Sequence, residues 1–311
     1  MAQASTSGFL EELSGNPVRR RKELVIKRIF QGTAVLSVVI SAAIVLSLIG
    51  RAVDFLLAVD MNALFSPSGW FPRRGFYDLR AIIAGTFVVA GIAMIVAAPL
   101  GLGAAIYLSE YARPRLRRIL KPILEILAGI PSVILGFFAL TWISPEVVQR
   151  VFADATFFTM MAAGLAVGIL ITPLVAAVSE DALRSVPMVL REASYGLGAR
   201  KISTTVRVIL PAAVSGVVAS MILAVSRAIG ETMIVAIAAG GTAGSALRLD
   251  PTQPGQTMTA AMTALAIGSD QVRGVKLTFP SLFFVGLLLF FMTLVLNVIS
   301  ERFVRKVRER Y

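Results

Sequence analysis

Residues 212–239, AAVSGVVASMILAVSRAIGETMIVAIAA, form a stretch of membrane-spanning length that is apolar apart from Arg227, Glu231 and small hydroxyl side chains. A charge at the centre of a bilayer costs roughly 2.5–3.5 kcal/mol on insertion scales, so intramembrane charge marks function by default. Positions i and i+4 of a helix share one face, and a guanidinium and a carboxylate placed there can pair. A permanently charged, forked donor also matches a tetrahedral oxyanion. The pair therefore points to an interior path for something charged, most simply an anion. A structural ion pair that pins two helices together is the alternative.

The rest of the chain agrees with a membrane setting. It is 57% hydrophobic and only 15% charged, with a mean hydropathy of +0.81, whereas soluble domains average about 25% charged residues. Six apolar runs, approximately 29–50, 82–108, 119–141, 156–178, 212–239 and 281–300, reach the roughly 20 residues a helix needs to cross a hydrocarbon core. None alternates as barrel strands do. The expected fold class is an all-α polytopic membrane protein with six transmembrane helices. The run from Ile29 to Gly50 is too long for a signal core, and no small-x-small site precedes Arg51, so it is expected to remain as the first helix. Residues 1–18 are polar and expected to be poorly ordered. The domain plan is a 1–28 N-terminal segment, a 29–300 six-helix domain with a 180–211 loop, and a 301–311 basic tail.

The net charge of +12 is asymmetrically placed. Lys and Arg number six before the first span, five at 109–122, five at 179–211 and five after Ser300, against four at 51–81, one at 142–155 and three at 241–280. That is 21 against 8, and the positive-inside rule then puts both termini in the cytoplasm. The tail from Arg302 to Arg310 suits anionic headgroups of membrane lipid, and no nucleic acid is needed to explain the charge. With no Cys and no His, thiol chemistry, His-based catalysis and Cys/His metal sites are excluded. No GxxxxGK[ST] segment is present, so the chain lacks that ATP-binding loop.

Pro99, Pro131 and Pro173 interrupt three of the runs, as hinges or cavity linings do in transporters. Pro99-Leu100-Gly101-Leu102-Gly103 reads more simply as close helix packing than as a nucleotide motif. The outer segments Ser66-Pro67-Ser68-Gly69-Trp70-Phe71-Pro72 and 241–280 are either caps over helix ends or landing surfaces for an external partner. On the other side, Glu180 to Pro211 is long, charged and rich in helix formers. Pro187 suits a helix start and Gly198 a helix stop. A short helix lying outside the bundle must bury its apolar side on lipid or on a soluble partner.

Within that loop, Glu192-Ala193-Ser194, then Gly198, then Val208-Ile209-Leu210-Pro211 resembles the EAA loop of ABC-importer permeases, with Ser194 and Val208 as mild departures. Pro99-Leu100-Gly101, Tyr107-Leu108-Ser109-Glu110-Tyr111, Ala128-Gly129-Ile130-Pro131-Ser132-Val133 and Arg227-Ala228-Ile229-Gly230-Glu231-Thr232-Met233 resemble the phosphate-specific transport (Pst) permeases. Glu231-Thr232-Met233 and Gly69-Trp70-Phe71-Pro72 are similar to the C-type subunit. The resemblance spans about residues 25–305. It implies a type I importer fold with a cytoplasmic coupling helix, in a bacterial inner or plasma membrane. It further implies an A-type permease partner in a heterodimer, two copies of a cytoplasmic ATPase that binds the ATP, and an extracytoplasmic phosphate-binding protein. The chain itself would be a non-enzymatic translocation subunit with no cofactor, passing inorganic phosphate. By the resemblance Arg227, Glu231 and Thr232 lie on the substrate path, while Glu192, Ala193, Gly198 and Pro211 serve ATPase coupling.

Other classes stay open at this point. A permease for sulfate or molybdate shares the EAA loop and a similar Arg-x-x-Gly-Glu segment. An ion-coupled secondary transporter would use Arg227 and Glu231 as a selectivity or proton site. A non-transporting scaffold gives no reason for mid-membrane charge.

Overall fold

The computed structural model describes residues 17–240, 247–267 and 276–307. The chain divides into two compact units, residues 1–50 and 51–311. Helix α1 (Pro17–Ala58) begins at Pro17, whose fixed φ and missing N–H suit a first helical position. Residues 17 and 18, expected to be disordered, are therefore helical, and residues 1–16 lie outside the described residues. From Lys22 to Gly50 no side chain of α1 is buried, and Val35, Val38 and Leu46 are turned outward.

In the second unit, α2 (Leu79–Tyr111) and α5 (Met160–Arg184) form the central pair. Asp78 Oδ1 accepts from the Arg80 N–H at 3.2 Å, and Thr159 Oγ1 accepts from the Ala162 N–H at 3.0 Å. Both capping residues satisfy donors at the first turns, which have no partner within their helices. The two helices approach through small residues. A Cβ at Gly168 would lie 2.8 Å from Val96 Cβ, and one at Gly101 2.6 Å from Val175 Cβ. Ala93, Ala97, Ala163 and Ala166 complete the seam. Such contacts let helix backbones close up where lipid offers no hydrophobic drive.

The third span does not lie where hydropathy placed it. Residues 114–128 form an amphipathic helix, α3 (Pro114–Ala128), which carries Arg115, Arg117, Arg118, Lys121 and Glu125. Pro131 then caps α4 (Ser132–Val151), the helix that is long and apolar enough to cross. The expected run 119–141 had merged the two across Gly129-Ile130-Pro131. The expected outer loop 142–155 shrinks accordingly to 152–159. Pro99 and Pro173 sit inside uninterrupted helices, so of the three prolines only Pro131 marks a break.

Helix α6 (Met188–Gly196) lies in the loop after α5. Next, α7 (Lys201–Ala212) meets α8 (Val214–Ile229) at a 71° bend. The chain breaks again at 230–232 before α9 (Met233–Ala238). After residues 247–257, α10 (Met258–Ile267) and α11 (Thr278–Val307) follow, so the basic tail is helical as far as Val307. Among the described residues five helices are long and apolar enough to cross a membrane, and a sixth span results if the bent pair α7 and α8 counts as one.

A two-stranded antiparallel hairpin, β1 (Trp70–Phe71) and β2 (Phe76–Tyr77), covers one end of the bundle. Trp70 and Tyr77 are buried on Phe55 and Leu79. Phe55 meets Tyr77 edge-on and stacks on Phe284, both at 5.1 Å. These buried ring contacts favour the capping role for the 66–77 segment.

Candidate functional site: a charged cavity and an exposed helical loop

Four helices line a cavity of about 690 Å3, and each contributes a stripe at helical spacing. From α5 come Leu170, Pro173, Leu174, Ala177 and Glu180, and from α8 and the break come Leu223, Ser226, Arg227, Gly230 and Glu231. Helix α3 adds Lys121, Leu124, Glu125 and Ala128, and α11 adds Thr293 and Asn297.

Arg227 sits in the last turn of α8, with its side chain exposed to the cavity. Among the described residues no ion pair joins it to Glu231. The expected helical pairing fails because α8 ends at Ile229 and the chain leaves helical geometry before Glu231. The Glu231 carboxylate instead accepts the N–H groups of Met233 at 3.2 Å and Ile234 at 3.5 Å. It caps α9, where an anion is favoured by both the free N–H groups and the helix dipole. Thr232 donates to the Gly230 carbonyl at 3.3 Å and is absent from the cavity lining. Arg227 and Glu231 thus share a cavity without sharing a bond.

The break is held open by a segment that hydropathy could not place. Thr259 Oγ1 donates to the Glu231 carbonyl at 2.6 Å, Met258 N–H donates to Thr86 Oγ1 at 3.0 Å, and Gly255 N–H donates to the Ala239 carbonyl at 3.0 Å. Residues 255–261 are buried, so this part of the expected flexible 241–280 loop re-enters the bundle. Helix α10 is too short to span, and apolar segments of 10–14 residues commonly re-enter or lie at interfaces. That length was the available signal.

The loop after α5 matches its expected form closely. Gly198 has φ +77° with open space around a built Cβ, so the backbone conformation, not packing, is what requires glycine there. Leu197, beside it, is 89% exposed, and Met188, Val189 and Tyr195 are also exposed. Glu192 and Ala193 lie on the open side. Ser194 turns inward to Thr204, Oγ to Oγ1, at 2.8 Å. Pro211, which immediately precedes the run expected to span from residue 212, sits in the last turn of α7, ahead of the bend at Ala213. The span proper starts at Val214.

An anchor for this loop went unread in the sequence. Arg191 Nη2 pairs with Glu110 Oε1 at 3.0 Å, and both side chains are nearly buried. The guanidinium also donates to the carbonyls of Val186 at 2.5 Å and Leu183 at 2.8 Å. A fork satisfied by three acceptors fixes α6 against the end of α2.

Residues 97–309 match the family model of the binding-protein-dependent transport system inner membrane component. The chain belongs to that family. Among curated members, it is 30% identical over 307 residues to the phosphate transport system permease protein PstC of Pasteurella multocida, covering 93% of each chain. It is 39% identical over 189 residues to PstA 1 of Mycobacterium tuberculosis, covering 55% of this chain and 60% of that one. A bacterial alginate ABC transporter crystallised with its periplasmic protein gives a TM-score of 0.62 at 16% identity, over 91% of this chain and 97% of the other. At that identity the likeness establishes an importer-permease fold.

Proposed function

We propose that the chain is the C-type translocation subunit of an ATP-driven importer of inorganic phosphate. It pairs with an A-type permease whose helices supply the facing wall of the cavity. Two copies of an ATPase dock on the α6 loops of the two permeases, and an extracytoplasmic phosphate-binding protein delivers the substrate. The single observation carrying this reading is Arg227, a cavity-facing guanidinium with no side-chain partner among the described residues, in a chain similar along most of its length to phosphate permeases. The site residues Glu231 and Thr232 shape the break beside it. Arg227 is the member of the three that meets the anion.

A carboxylate lining the same cavity, that of Glu125, favours phosphate over sulfate. Phosphate retains a proton near pH 7 that a carboxylate accepts, whereas sulfate has none to offer, and buried polar groups left unpaired discriminate strongly. Radiolabelled phosphate should enter vesicles bearing the full complex, and sulfate in roughly hundredfold excess should leave that uptake nearly unchanged. Sulfate uptake at the phosphate rate would assign the other oxyanion. Inactivating the ATPase should stop transport whatever the membrane potential; persistence would indicate an ion-coupled carrier.

The charge asymmetry supports an orientation with both termini and the 179–211 loop in the cytoplasm of a bacterial cell and 60–79 outside. Single cysteines introduced into this cysteine-free chain test it. Those at 60–79 should react with an impermeant reagent from outside only, and those at 179–211 or at Tyr311 from inside only. Labelling of 60–79 from the inside alone would invert the orientation.

A further inference from the structure

Helix α3 is built the wrong way round for a helix on a water-facing surface. Ile119, Ile123 and Ile126 are exposed, while Arg117, Leu120, Lys121 and Leu124, at helical i, i+3, i+4 and i+7 spacing, are turned inward. The two cations meet Glu180 of α5, a carboxylate only 1% exposed. Arg117 pairs with its Oε1, and Lys121 Nζ lies 3.5 Å from its Oε2 and 3.6 Å from Asp181 Oδ1. The carboxylate is thus held by two cations, each of which can also attract an incoming anion.

The cluster occupies one end of the cavity that Arg227 faces, and packing fixes the separation. Helices α5 and α8 run antiparallel: Gly216 lies against Ala182, and Ser179 Oγ meets Ser220 Oγ at 2.7 Å. Continuing that register puts Arg227 level with residues 171–172, next to Leu170 and Pro173 of the lining. Glu180 is eight residues further along α5, or about 12 Å at 1.5 Å per residue. The two charged levels are therefore distinct positions along the cavity.

We propose that Lys121, with Arg117 behind it, is a second binding station for the transported oxyanion, at the inner mouth of the cavity, and that Glu180 is the counter-ion the anion displaces on arrival and that expels it on return. The site takes a tetrahedral divalent oxyanion; given the function proposed above, on which this inference rests, that is inorganic phosphate. Three cations (Arg117, Lys121, Arg227) and four carboxylates (Glu125, Glu180, Asp181, Glu231) surround the path. With opposite charges interleaved, the anion exchanges partners at each level and is not trapped at either.

The assembled transporter in proteoliposomes, with its partner permease, ATPase and binding protein, tests this. Lys121→Cys should lower phosphate turnover about tenfold, the order expected for one lost charge-assisted contact, with half-saturation by the phosphate-loaded binding protein unchanged. Aminoethylation of the introduced thiol, which rebuilds a cation after assembly, should restore most of the turnover, and S-methylation should not. Glu180→Gln should act in the opposite sense: phosphate on the cytoplasmic side should inhibit uptake at about tenfold lower concentration. Wild-type turnover in Lys121→Cys, equal recovery with the neutral reagent, or unchanged sensitivity of Glu180→Gln to cytoplasmic-side phosphate would each overturn the station. If the wild-type complex takes up no phosphate, the function proposed above has failed; if it does and Lys121 is indifferent, only the second station has.

Discussion

Arg227→Gln should reduce phosphate uptake at least about thirtyfold in a complex that still assembles. Attraction between unit charges at 4 Å is about 4 kcal/mol at an effective dielectric of 20, and even half of that, after desolvation, corresponds to a factor of about 30 in binding. The guanidinium is the only cationic group at its level among the described cavity-lining residues, so no neighbour there takes over. The side chain is exposed to the cavity and has no partner among the described residues, so its removal leaves no buried group unsatisfied and assembly should proceed. Arg227→Lys should recover part of the activity, because a point charge lacks the forked geometry. Glu231→Gln should be milder than Arg227→Gln: its amide oxygen can still accept from Met233 and Ile234 N–H, and only the favourable charge at the start of α9 is lost. Uptake at the wild-type rate by an assembled Arg227→Gln complex would make the residue structural and withdraw the proposed path.

Replacing Gly198 by Val should cut the ATPase recovered with the permease about tenfold while the permease remains inserted. Residue 198 sits at φ +77° in open space, so added volume meets nothing and the whole penalty is conformational. A left-handed conformation costs an L-residue roughly 1–2 kcal/mol, about 5- to 30-fold, and a β-branched side chain falls at the upper end. The order of the series separates conformation from bulk. Asn, which tolerates the left-handed region, should be close to wild type despite its size, Ala should be intermediate and Val worst. Equal ATPase recovery across the series would show that the turn is not what presents Glu192 and Ala193 to the partner.

Much of the molecule was legible in the chain because the rules that govern it are local. Hydropathy over a window of one span located α2, α5 and α11, since the cost of putting side chains in lipid is summed residue by residue. Gly198 was legible because a positive φ has a residue-type signature. The same locality produced the errors. The apolar run 119–141 contains Lys121 and Glu125, and a window average smoothed over them, so an amphipathic helix and the start of a span were read as one. Pro99 and Pro173 carry the same residue-type signal as Pro131, although neighbouring helices in a packed bundle can accommodate a proline without a break.

Residue order alone is enough to establish a multi-span membrane protein with a helical loop turning at Gly198 and with charge concentrated at one depth of the fifth span. Each of these follows from side-chain transfer energies or from backbone conformation within a few residues. What those charges do depends on how the helices pack. Arg227 and Glu231 do not pair, because the helix ends between them and Thr259, 28 positions away in the chain, satisfies the carbonyl that the break exposes. Glu180 meets Arg117 and Lys121, and Arg191 meets Glu110, only because α2, α3, α5 and α6 converge. Contacts between distant segments depend on how whole helices pack, and no local window of sequence carries that information.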